Sequence, residues 1–198
     1  SVAVDPNSRH SLLLDLMALD NTAAQYLGRP CYLGHHQSES CHPLYWTHWR
    51  YSKDVVDSMS FALRQQLEDH PNCKVTLIGY SGGGTLAMLI APQLSHVKTV
   101  ITIAGNLDID AWSELHSYSR LEGSLNPASL APLPPHIKQL HLVGTADTNI
   151  PPSIVKHALQ RQPGPQILHY ESFTHQCCWE KIWPSVLKII DQMEGTIQ

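Results

Sequence analysis

The chain has 198 residues, 42% hydrophobic and 15% charged, a balance that suits one folded domain with a substantial core and excludes a disordered segment. Its formal charge of −4 and pI near 6.3 offer no basic field for nucleic acid or for an anionic membrane. No apolar run nears the about 20 residues of a membrane helix, so no membrane span is predicted, and Ser1 in place of an initiating Met implies a processed or partial product.

Taken in order, "SLLLDLMAL" (11–19) predicts a helix and "AAQYLGRPCYL" a short strand ending near Leu33. "GHHQSESCHPLYWTHW" has no period and reads as a loop. From Ser52 the spacing of Val55, Val56, Met59, Ala62, Leu63 and Leu67 gives one apolar helical face, which "HPN" at 70–72 ends. "KVTLIGY" then predicts a buried strand, "GGGTLAMLIAPQL" a helix and "VKTVITIAG" a second strand. Further on, "IKQLHLVG" and "PQILHYE" read as strands, and "PPSIVKHALQR" and "CCWEKIWPSVLKIIDQM" as helices. Strands alternating with helices define the class as α/β: a mostly parallel sheet with helices on both faces, expected as a single domain over 1–198.

In such a sheet, chemistry gathers where strands end at their carboxyl side. Ser81 stands there, in "GYSGG", a match to G-x-S-x-G between a predicted strand and a predicted helix. A tight turn at that point holds the serine in a strained backbone conformation and projects its hydroxyl into the open. The turn also aims the amide of Gly82, at the helix start, to where a carbonyl oxygen would gain charge. A serine nucleophile needs a base, and the base needs an orienting acid. Asp147 in "TADTNIPP" follows one predicted strand and His175 in "SFTHQCCW" follows the next. Taken singly, Asp147 reads equally as a turn or capping residue, and His175 is one of 13 histidines; together with Ser81 they give the order Ser, Asp, His after three separate strands.

With "GYSGGG", "AGNLD", "GSLNP" and "HQCCW", the chain resembles the α/β-hydrolase superfamily, specifically its small bacterial hydrolases, over nearly all of residues 20–185. The resemblance implies Ser81 as nucleophile, His175 as general base and then acid, and Asp147 as the acid that orients His175. Gly82 supplies an oxyanion amide in that scheme, and the implied chemistry is acyl transfer to water on a small-molecule acyl substrate, with no cofactor and no metal. The same triad serves acyltransferases and peptidases, and the same fold serves binding proteins without turnover, so these stand as alternatives.

The superfamily places three strands ahead of the first helix, and a loop after the third gives a second oxyanion amide. The pattern of residues 1–10, "SVAVDPNSRH", predicts no such strands, and the resemblance places the expected third strand between the segments near 24–33 and 74–80. The expectation is therefore an N-terminal fragment, another part of a precursor, or a second copy of the chain completing the sheet.

Five cysteines leave at least one without an intramolecular partner. Cys31, His35, His36, Cys41 and His42 could wrap a zinc ion, but their spacing matches no standard structural zinc pattern; a Cys31–Cys41 disulfide bracing the loop is preferred, and with it an exported protein. Adjacent Cys177 and Cys178 bridge only with strain, so at least one is expected as buried packing beneath the histidine loop, and Cys73 has no visible role. Tyr45, Trp46, Trp49 and Tyr51, with Trp112 and Tyr118, are candidates for a pocket lining or, more commonly, for core. Asn106, Asp108 and Asp110 are expected to brace a loop, with Asp108 in reserve as the triad acid.

Overall fold

The computed structural model describes residues 11–195. Among them the chain forms six α-helices and four β-strands. Helix α1 (Leu12–Ala18) is followed by irregular chain with two short 3₁₀ turns. Helix α2 (Lys53–Leu67) begins where the apolar period begins: the Ser52 hydroxyl accepts the Val55 N–H at 3.4 Å, and Val55, Val56, Met59 and Leu67 are buried.

Regular alternation follows. Strand β1 (Val75–Tyr80), α3 (Gly82–Ile90), β2 (Val97–Ile103), α4 (Ile109–Leu115), β3 (Lys138–Gly144), α5 (Pro152–Leu159), β4 (Gln166–Tyr170) and α6 (Trp179–Glu194) complete it. The strands form one parallel sheet in the order β1-β2-β3-β4, with Ile101 opposite both Ile78 and Leu140, and Leu142 opposite Leu168. This is the α/β architecture expected from the alternation.

Two apolar layers cover the sheet. On one face Ile101, Ile103, Leu140 and Leu142 lie under Trp179, Trp183 and Val186 of α6 and Leu12 and Leu16 of α1. On the other, Val97, Val100 and Val143 lie with α2, α3 and α5, including Val55, Leu86, Leu89 and Val155. Burial on both faces explains why these strands read as apolar runs rather than as alternating patterns.

One predicted element is absent. Residues 24–33 form no strand. Cys31 and Leu33 have φ of 68° and 56°, Gly34 follows at 88°, and turns bond Tyr32 N–H to the Arg29 carbonyl and His35 N–H to that of Tyr32. Left-handed residues at 31, 33 and 34 break any ladder there, whatever the β propensity of their side chains. The segment is tied instead by a Cys31–Cys41 disulfide, as expected, with Cα atoms 5.6 Å apart. The prediction about strands in residues 1–10 lies outside the described residues. Among the described residues, β1 pairs on one side only, with β2, and no helix is long and apolar enough to cross a membrane.

Candidate active site

The carboxyl end of β1 turns into α3 through Ser81, whose φ of 51° and ψ of −118° lie in a region that favours glycine. Neighbouring backbone holds it there. Ser81 N–H donates to the Ile103 carbonyl at 2.9 Å, and the Ser81 carbonyl accepts from Gly84 N–H at 3.0 Å and Asn106 N–H at 3.1 Å. Glycine is required at 79 because a Cβ there would overlap the Gly83 carbonyl; only a bare backbone lets α3 leave so sharply.

The next two strands bring the other side chains. Asp147 lies just beyond β3, 3% exposed, and its Oδ1 accepts the N–H groups of Asn149 at 2.9 Å and Ile150 at 2.8 Å. Its second oxygen, Oδ2, is 2.8 Å from Nδ1 of His175, which lies beyond β4. Nε2 of His175 is 3.0 Å from the Ser81 hydroxyl oxygen. An ionised carboxylate can only accept, so Nδ1 carries the imidazole proton and donates to Asp147, leaving the Nε2 lone pair for the Ser81 hydroxyl. The two loops are joined to each other: Thr145 and Ala146 N–H donate to the Tyr170 and Phe173 carbonyls, both at 3.0 Å. Gly144 permits that approach, since a Cβ there would overlap the Phe173 carbonyl.

Ser81, Asp147 and His175 thus meet in one hydrogen-bonded line, with Gly82 as the first residue of α3 beside them. Two further residues that the sequence reading passed over hold His175. The Tyr80 hydroxyl and the Trp179 indole N–H both donate to the His175 carbonyl at 3.0 Å, and the Tyr80 ring lies 5.1 Å from the imidazole. Burial, then the negative charges of Asp147 and Glu180, push the Tyr80 phenol up to about 12, so it remains a donor. The available signals were that Tyr80 adjoins the serine and that Trp179 falls four residues after the histidine.

Trp179 also corrects the cysteine expectation. It is fully buried beneath the histidine loop, packed edge-on against Tyr170 and Phe173, and fills the space assigned to a cysteine. Cys177 is exposed and Cys178 half-buried. Asp108 does not reach His175. It caps α4 by accepting Ala111 N–H, and it binds Asn126 and His157. Burial opposes its charge, but the Asn126 amide, the Ala111 N–H and His157 together outweigh that and hold its carboxyl below the usual range. Asp110 accepts from the same Asn126, and Thr85 donates to the Asn106 carbonyl, so this group braces the loop after β2 as expected.

The aromatic residues divide. Trp112 and Tyr118, 5.2 Å apart edge-to-face, line a surface cleft of about 420 Å³ with Thr47, His48 and Arg50. Trp112 donates its indole N–H to Asn149, whose own N–H binds Asp147. Tyr51 is core, 4% exposed.

Solved structures with this arrangement of elements are α/β hydrolases. A puromycin hydrolase mutant complexed with PGG superimposes with a TM-score of 0.63 at 16% identity, over 84% of this chain and 29% of that one. The chain has the α/β-hydrolase fold. An α/β serine hydrolase homologue from Coxiella burnetii matches at 0.53 and 18% identity over 79% of this chain and 64% of that one. MGS-MChE2, an α/β hydrolase from a sediment metagenome of the Mar Chica lagoon in Morocco, matches at 0.52 and 15% over 69% and 68%. No family model and no curated protein matches the sequence. The α/β-hydrolase likeness is one of fold, and the chain spans under a third of the puromycin hydrolase it overlays.

Proposed function

We propose that the protein is a serine hydrolase that cleaves an ester or related acyl bond of a small-molecule substrate through an acyl-enzyme. The observation that carries the reading is the line from Asp147 through His175 to Ser81, with bonds of 2.8 and 3.0 Å. In it, Ser81 Oγ attacks the acyl carbon while His175 Nε2 takes the hydroxyl proton, and the developing oxyanion faces the Gly82 amide. His175 then protonates the departing alcohol, and a water deprotonated by the same nitrogen releases the acid and restores Ser81. Asp147 keeps the imidazole in the tautomer this requires and stabilises its charged form. No step calls for a cofactor.

Ser81→Ala should lower turnover of a short-chain p-nitrophenyl ester by at least about 10⁴-fold without changing the melting temperature. Unchanged turnover would overturn the proposal. A peptidase reading has one specific support, the likeness in fold to puromycin-hydrolysing enzymes, including a mycobacterial peptidase at a TM-score of 0.54 and 19% identity. Comparing an aminoacyl amide with the matching ester decides between them. Saturable ligand binding with no turnover of either would favour a binding protein.

The free side of β1 supports a further part of the reading: a segment outside the described residues, or a second copy of the chain, adds a strand there. A fully active monomer with the mass of this chain alone would contradict it.

A further inference from the structure

The elbow carries a second polar group that the triad does not use. Tyr51 immediately precedes the Ser52 cap of α2, and its backbone is fastened at both ends to the segment before Asn126: its N–H donates to the Ser124 hydroxyl at 3.1 Å and its carbonyl accepts Leu125 N–H at 2.9 Å. Ser124 is itself held, donating to the His48 carbonyl at 2.6 Å. The ring then runs into the core beside Val55 and Leu86, so that only 4% of the residue is exposed. Its tip ends at the nucleophile turn. A Cβ built on Gly82 would overlap the Tyr51 hydroxyl oxygen and lie 3.1 Å from Cζ and 3.3 Å from Cε1, which puts that oxygen in van der Waals range of the Gly82 backbone.

Direction adds to proximity. In an α-helix the Cα–Cβ bond tilts toward the amino end, and the first-turn N–H groups point out of the same end without intrahelical acceptors. The Tyr51 hydroxyl, met along the Cβ direction of Gly82, therefore stands beside the first turn of α3, close to its amino end. Among the described residues that hydroxyl makes no hydrogen bond, and its oxygen is not one of the fully buried unpartnered atoms, so it keeps an open side.

We propose that Tyr51 is a catalytic residue of this site, its hydroxyl donating the second hydrogen bond to the oxyanion that forms when Ser81 attacks, alongside the amide of Gly82. The proposal rests on the serine-hydrolase reading above. The phenol stays protonated throughout; it donates to the negative oxygen more strongly than to the neutral carbonyl, which makes its contribution specific to the transition state. Glycine at 82 has a reason in the same geometry, since any side chain there would displace the hydroxyl.

Tyr51→Phe keeps the buried ring and removes only the donor. On an ester that the parent protein hydrolyses, kcat should fall about 10²- to 10³-fold, the loss typical of one oxyanion donor, with KM within about twofold and the melting temperature unchanged. Gly82→Ala should lose a similar factor in the parent but far less in the Tyr51→Phe background, because both changes remove the same bond. A Tyr51→Phe variant retaining kcat within about threefold of the parent overturns the proposal, and so does a loss that appears only in KM or only with a lower melting temperature. Because the parent is active in every one of these outcomes, failure here is separate from failure of the hydrolase reading, which would show as a parent protein without Ser81-dependent turnover.

Discussion

The two faces of the sheet are built differently. Under α1 and α6 the strands present Ile101, Ile103, Leu140 and Leu142 to two buried tryptophans, and the layer is mostly apolar, with the two indole nitrogens and the Thr99 hydroxyl among its few polar groups. Under α3 the same strands also present Thr102, Gln139 and His141, all at 1% exposure or less. Thr102 and His141 are opposite one another on β2 and β3 and share a 2.8 Å hydrogen bond, while both Gln139 side-chain polar atoms and His141 Nε2 have no partner among the described residues. Small residues let α3 lie close here: a Cβ on Gly84 would stand 3.0 Å from Gly105 Cα and 3.2 Å from Thr102 Cβ. The α6 face is therefore organised for burial of large apolar side chains, whereas the α3 face gives up some of that burial to hold one helix tightly against the strands. The second arrangement is the one that fixes the turn at Ser81.

If this division is right, the two faces respond differently to change. Trp183→Ala on the α6 face should cost about 3–5 kcal/mol, read from denaturant unfolding, while the folded fraction keeps its kcat. Gly79→Ala on the α3 face should cost less, about 1–3 kcal/mol, yet abolish most turnover, because α3 and Ser81 must shift to admit the methyl. Equal activity losses in the two variants would break the comparison.

The smallest expected effect is a pH dependence confined to the α3 face. Burial pushes the His141 imidazole down to about 3, well below the about 6.5 of an unfolded histidine. Below 6.5 the unfolded chain takes up a proton that the native state refuses, so stability present at neutral pH is lost progressively as pH falls toward 3. Between pH 6 and pH 5 this amounts to about 1 kcal/mol, and His141→Gln should flatten the stability profile by that amount. An unchanged slope would show that His141 is protonated in the native state.

Much of this was legible because it depends on local pattern. A strand covered on both faces must be a short apolar run, and β1 to β4 each read as one; α2 announced itself through a serine cap and a three- and four-residue period. Ser81, Asp147 and His175 could be placed because a parallel sheet brings the carboxyl ends of its strands to one rim. What could not be read depended on backbone angles or on contacts between distant segments. Tyr26, Leu27 and Tyr32 argue for a strand by propensity, but left-handed Cys31 and Leu33 overrule them. Tyr51 lies in a stretch without period, and nothing in the sequence around it tells that its hydroxyl ends against Gly82. The exchange of a cysteine for Trp179 beneath the histidine loop is of the same kind, a choice made by the volume to be filled.

The central claim is that the Ser81 hydroxyl is made nucleophilic by its contact with His175. Treating the folded protein with a fluorophosphonate, then mapping the modified peptide, tests it most directly. The account predicts one adduct per chain, on Ser81, lost in His175→Ala while that variant remains folded; modification at another residue, or none in the folded parent, would contradict it.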